Sequence, residues 1–153
     1  MDNILSWIIW IPVLGMVAIA FIPRQKQDLI KKVAAVTTGI QLLVAIFLWS
    51  AFDAANGSFQ FMERAEWIPS LGISYILGID GLSLPMVALN ALIAFIGVFV
   101  SWNIDRAVKG YFALFLLLDT GVMGVFLSLD FFLFYVFWEV MLLPMYFLIG
   151  MWG

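Results

Sequence analysis

Two carboxylates stand inside long apolar stretches that hold no other charge. Glu139 lies in Phe131 to Gly153, which reads FFLFYVFWEVMLLPMYFLIGMWG, and Asp119 lies in Tyr111 to Ser128. A carboxylate deprived of water is costly, and in a membrane-crossing segment it ordinarily marks an ion or proton path. The chemistry such a group can do is to take up and release a proton. Five residues after Glu139 sits Pro144. It removes a backbone donor and frees the Val140 carbonyl, which predicts a kink. A charge and a broken backbone bond so close together make a polar spot inside an apolar rod.

The two acids fall at similar depth. Glu139 is nine residues past Asp130, and Asp119 is eleven before it. At about 1.5 Å per residue each is close to the middle of a roughly 30 Å hydrocarbon layer. If they face each other, repulsion keeps at least one protonated; if they face apart, burial alone favours the neutral form of each. Every Lys and Arg falls in a connection or at a helix end. An ionised Glu139 therefore calls for water or for a basic partner from outside this sequence. That is an expectation of a piece of a longer chain, or of a chain that works inside a larger assembly. Asp119 precedes Thr120 and Gly121. It reads either as a second proton station or as a neutral acid hydrogen-bonded to a neighbouring backbone carbonyl. The aromatic crowd Phe131, Phe132, Phe134, Tyr135, Phe137 and Trp138 is expected to pack helices and face lipid.

The elements that must position these acids are legible in the composition. The chain has 153 residues, 65% hydrophobic and 11% charged, with a mean hydropathy of +1.13. An ordinary soluble domain carries about twice that charge. The fold class is therefore all-α, a polytopic transmembrane helix bundle. The absence of Cys and His removes the usual ligands of haem, iron–sulfur clusters and zinc, so no cofactor or metal is expected on this chain. No phosphate-cradling glycine loop, nucleophile elbow or basic nucleic-acid face is present.

Five spans are predicted in one membrane domain covering 1–153: about 4–22, 33–52, 84–102, 111–128 and 131–149. The first lacks a positive n-region and is long for a signal peptide, so it reads as a retained helix. Pro23 stops it, and the basic stretch Arg24, Lys26, Lys31 and Lys32 follows. Thr37, Thr38 and Gln41 in the second span are expected to hydrogen-bond between helices, with a small-residue contact at Gly39. The connection 53–83 is acidic, with Asp53, Glu63, Glu66 and Asp80 against Arg64. Phe59 and Phe61, then Ile73, Tyr75, Leu77 and Ile79, alternate with polar or small residues, which predicts a small extramembrane hairpin turned by Gly57, Pro69 and Gly72. Trp67 and Trp102 are placed at the headgroup level. Ser83 is a cap for span three, with Pro85 in its first turn, and Asn90 should find an interhelical partner. Asp80 and Asp130 read as helix-start residues. Only Leu129 and Asp130 separate spans four and five, which predicts a tight antiparallel pair.

The connections after spans one and three hold Arg24, Lys26, Lys31, Lys32, Arg106 and Lys109, whereas the one after span two holds only Arg64. By the positive-inside rule the N-terminus is outside, the hairpin is outside, and Gly153 lies just inside.

The run Gly124 to Gly153, with Trp138-Glu139-x-Met141-Leu142-x-Pro144-Met145 at its centre, resembles the antiporter-like membrane subunits of respiratory complex I. It is most similar to the subunit M branch of bacterial NADH–quinone oxidoreductase and its mitochondrial subunit 4 counterparts. Ile79 to Ile93 resembles the start of that family's third helix. The likeness runs from about Trp67 onward, and the first two spans match in length and topology. The resemblance implies the N-terminal portion of a longer chain in a bacterial inner membrane. It implies a proton-translocating function for Glu139, paired in the family with a lysine on a later helix. The implied partners are other membrane subunits of complex I, the lipid bilayer and protons, with no nucleic acid. Antiporter subunits of multi-subunit sodium/proton exchangers share the architecture and are the nearest alternative. A structural scaffold, with Glu139 and Asp119 permanently protonated, is the second.

Overall fold

The structure, a computed structural model, describes residues 4–23, 25–51, 60–68, 70, 73–79, 83–103, 108–129 and 131–152. In chain order these form helices α1 (Ile4–Ala20) and α2 (Gln27–Ala51), strands β1 (Gln60–Ile68) and β2 (Ile73–Ile79), and helices α3 (Ser83–Val100), α4 (Val108–Leu127) and α5 (Phe131–Trp152). A 3-10 turn at Ser101–Asn103 follows α3. The expectations that rest on Asp53, Gly57, Pro69, Gly72, Asp80 and Asp130, and on the Trp67 side chain, lie outside the described residues.

Helices form here because apolar surroundings leave the backbone only its own donors and acceptors. Among the described residues, α2, α3, α4 and α5 are long and apolar enough to cross a membrane, and α1 is shorter, at 17 residues. The chain is a multi-pass membrane protein. Helix α2 starts well before Val33 and takes in Lys31 and Lys32 of the basic stretch. Asp28 in its first turn favours that start by facing the positive end of the helix dipole. Lys31 is almost fully buried there. Helix α3 starts at Ser83, so Pro85 falls in the first turn, where the missing N–H costs little.

Helix α4 is the hub: it packs against α5, α1, α3 and α2 and is the most buried of the long helices, whereas α5 is the least. Glycines set the α4–α5 approach. A Cβ on Gly121 would stand 2.6 Å from the Met141 backbone nitrogen, and one on Gly124 would enter the Phe137 ring. Gly15 likewise lets α1 close on Thr37 of α2, and Gly39 faces Phe95 of α3 at 3.3 Å from its would-be Cβ. This small-residue packing is how membrane helices approach where lipid is as apolar as the side chains.

Strands β1 and β2 form an antiparallel pair with two irregularities in register. Strand β2 is fixed to the bundle by its backbone and by Tyr75. The Leu129 N–H donates to the Ile76 carbonyl at 2.9 Å, and Leu77 bridges Ser128. Trp10 Nε1 of α1 donates to the Tyr75 hydroxyl at 3.0 Å, and Ser6 Oγ shares a hydrogen bond with it at 3.0 Å. The sheet thus closes one end of the bundle over α1 and the α4–α5 turn. At the other end the Lys109 ammonium donates to the Ala20 carbonyl at 2.9 Å, covering an unpaired acceptor at the last turn of α1.

Candidate functional site

The apolar interior divides into two clusters. One gathers Ile8, Ala45, Leu77, Ala91, Met123 and Phe137; the other gathers Ile19, Ala34, Val98, Phe112 and Leu116. Between them in sequence on each helix come Gln41 of α2 and Asp119 of α4, both buried, at 0% and 4% exposure. Asn90 of α3 lies next to the first cluster. A polar layer thus crosses the bundle between two apolar halves.

The layer begins with a proline that sequence reasoning passed over. Pro12 is inside α1. Having no N–H, it cannot bond the Ile8 carbonyl one turn earlier. Gln41 Nε2 supplies the missing donor from α2, reaching Ile8 O at 2.8 Å. The signal was available: a proline within a span, and an amide in mid-span on the next helix.

Asp119 sits beside this bond. Its Oδ1 accepts from Asn90 Nδ2 at 3.0 Å, so the interhelical partner expected for Asn90 is Asp119. Gln41 is the other polar neighbour of the Asp119 carboxyl. Asp119 Oδ2, Gln41 Oε1 and Thr120 Oγ1 are buried with no hydrogen-bond partner among the described residues. The two threonines of α2 bond to their own helix: Thr37 Oγ1 donates to Val33 O at 2.7 Å and Thr38 Oγ1 to Ala34 O at 2.9 Å. The expectation that both threonines bond between helices is corrected here. A hydroxyl one turn along reaches its own helix carbonyl with less reorganisation than a neighbour's.

Glu139 has different surroundings. Among the described side chains of α5 the buried ones are Leu133, Phe137 and Pro144, a stripe of roughly helical period. Glu139 is two residues from Phe137, about half a turn round, and its side chain is exposed on the outer surface of the bundle. The two acids therefore face apart: Asp119 points into the α2–α3–α4 interior and Glu139 away from it. Tyr135, Trp138 and Leu143 share the outer surface. Phe137 alone of the aromatic crowd is buried, at 2% exposure, packed on Gly124 and tilted against Trp10 at 5.9 Å between ring centres. Pro144 is inside the helix and buried. Among the described residues no group of three or more acids could hold a metal ion.

No family model matches the sequence. Individual relatives do. The chain is 41% identical to NADH-quinone oxidoreductase subunit M of Pseudomonas aeruginosa, over 98% of its own length and 31% of that protein. It is 39% identical to NADH-ubiquinone oxidoreductase chain 4 of Arabidopsis thaliana, over 97% of its length and 30% of that chain. This chain resembles subunit M and chain 4. The likeness read from the Trp138–Met145 motif is borne out, and it extends over the first two helices as well, since 97% or more of the chain is covered. The chain spans about 30% of the length of the curated relatives it matches. Among solved structures, respiratory complex I from Thermus thermophilus contains a chain with the same fold, at a TM-score of 0.80 and 24% identity, matching 97% of this chain and 29% of its own. An archaeal membrane-bound sulfane sulfur reductase contains another, at a TM-score of 0.78 and 22% identity, matching 99% of this chain and 23% of its own.

Proposed function

We propose that this chain is the N-terminal portion of a proton-translocating membrane-arm subunit of NADH–quinone oxidoreductase, and that Glu139 takes up and releases the proton. The observation that carries the reading is the position of Glu139: mid-helix on α5, on the face turned away from α4, within the Trp138–Met145 motif. A carboxyl so placed in a membrane is tolerated where it meets protein or water and not lipid tails. A cation brought near it stabilises the carboxylate and releases the proton; withdrawing that cation favours uptake. The basic partner comes from outside residues 1–153, in keeping with the family's lysine on a later helix. Electron transfer takes place on other subunits, and this chain supplies no redox centre.

Asp119 is the second proton-holding group. It faces Asn90 and Gln41 instead of Glu139, so the two acids act as separate sites and not as a carboxylate pair. The chain forms one membrane domain that crosses five times. Its N-terminus and the β1–β2 hairpin are outside, and its basic connections are inside, in a bacterial inner membrane and in contact with lipid and other complex I subunits. The direct test is Glu139→Gln in the assembled complex, with NADH-driven proton translocation and the assembled amount measured together. A deletion strain separates the exchanger alternative: loss of NADH-driven quinone reduction supports this reading, whereas loss of sodium tolerance with normal respiration overturns it.

A further inference from the structure

The buried polar layer carries an inference about Asp119 that goes beyond its place as one of two membrane acids. Gln41 cannot turn its amide round. Its Nε2 is committed to the Ile8 carbonyl, an acceptor with no other donor once Pro12 occupies the next turn. Gln41 Oε1 is thereby fixed as an acceptor. Asp119 Oδ1 is occupied by Asn90 Nδ2. What remains is one buried oxygen on each of two neighbouring side chains, Gln41 Oε1 and Asp119 Oδ2, and neither has a hydrogen-bond partner among the described residues. Two acceptors cannot bond each other. If the second hydrogen on Nε2 turned toward Oδ2, Oε1 would still be buried without a partner. One proton on Oδ2 satisfies both atoms, because a protonated carboxyl is a donor.

We propose that Asp119 is held protonated and donates that proton to Gln41 Oε1. This completes a clasp running from the Ile8 carbonyl of α1 through Gln41 of α2 and Asp119 of α4 to Asn90 of α3. No charged side chain faces Asp119 from the elements packed on it. Helices α1 and α3 hold none, Asp28, Lys31 and Lys32 lie in the first two turns of α2, Lys109 lies in the first turn of α4, and Glu139 of α5 is on the outer surface. Among the described residues no cation is therefore placed beside the Asp119 carboxyl to hold it as a carboxylate. The proton ties four helices together across the middle of the bundle. The inference refines the reading of Asp119 as a proton-holding group and is independent of the role given to Glu139.

The test is infrared spectroscopy of the complete membrane protein in its native complex, comparing wild type with Asp119→Asn, Asp119→Leu and Gln41→Leu. A protonated-carboxyl band at neutral pH should vanish in Asp119→Asn and should shift in Gln41→Leu, where its acceptor is gone. Asparagine offers both an acceptor to Asn90 and a donor to Gln41, so Asp119→Asn should assemble at the wild-type level. Asp119→Leu should assemble several-fold less. No protonated band assignable to Asp119, a band indifferent to Gln41→Leu, or an Asp119→Asn protein as poorly assembled as Asp119→Leu would each overturn the clasp. Recorded in a Glu139→Gln background, the Asp119 band should be unchanged, so the clasp and the Glu139 reading stand or fall separately.

Discussion

Replacing Gln41 by leucine should destabilise the bundle through one identifiable atom, the Ile8 carbonyl. That carbonyl is without a helix donor because position 12 is proline, and Gln41 Nε2 is its partner at 2.8 Å. A buried carbonyl left unpaired costs about 1–3 kcal/mol. Interhelical hydrogen bonds measured in membranes average about 0.6 kcal/mol and reach about 1.7. The expected cost of Gln41→Leu is therefore about 1–2 kcal/mol. Pro12→Ala restores an N–H one turn after Ile8 and gives the carbonyl a donor from its own helix. In that background Gln41→Leu should cost less by the carbonyl's share, about 1 kcal/mol. Equilibrium unfolding of the complete protein in lipid or mild detergent, for wild type, both single variants and the double variant, gives the coupling directly. Equal costs of Gln41→Leu in the wild-type and Pro12→Ala backgrounds would refute the assignment.

Further outcomes follow from the packing and from the charge pattern. Gly121→Ala drives a Cβ to 2.6 Å from the Met141 backbone nitrogen, which cannot be relieved by a rotamer, so it should cost about 1–3 kcal/mol or more in the same assay. Gly150→Ala, with nothing within 4 Å, should be neutral. Tyr75→Phe removes the hydroxyl shared by Ser6 and Trp10; amide exchange in β2 should quicken by roughly fivefold, for about 1 kcal/mol lost, while α1 remains protected. The chain has no native cysteine, so single cysteines report topology cleanly. One at Ser70 should react with an impermeant thiol reagent from the outer side of intact cells, and one at Gln25 only after the membrane is opened. The reverse pattern would contradict the proposed orientation.

Much of this architecture was legible because membrane segments leave few choices. Uncharged runs and their separation predicted the helices, and the helices observed fall on them. The boundaries differ where a helix continues past the apolar run, as α2 does through Lys31 and Lys32, because helix geometry follows backbone hydrogen bonding and not hydropathy alone. Asn90 was recognised as a residue in need of a partner, but its pairing with Asp119 depends on the rotation of α3 about its axis, and helices that are apolar all round give no periodicity from which to read that rotation. The same cause hid the opposed directions of Asp119 and Glu139: depth follows from counting residues, whereas facing requires knowing which side of α4 meets which neighbour. The Pro12–Gln41 relation joins two helices at positions 29 residues apart. It becomes visible only when the acceptor freed on one helix is seen beside the amide of the other.

The central claim is that Glu139 exchanges a proton during turnover. Inverted membrane vesicles containing the assembled complex, energised with NADH, test it through Glu139→Gln, with proton uptake measured against the quantity of assembled complex. Glu139 lies on the outer surface of α5 and supports no packing inside the bundle, so assembly should stay at the wild-type level while proton uptake is abolished or sharply reduced. Undiminished proton uptake by a fully assembled Glu139→Gln complex would contradict the account.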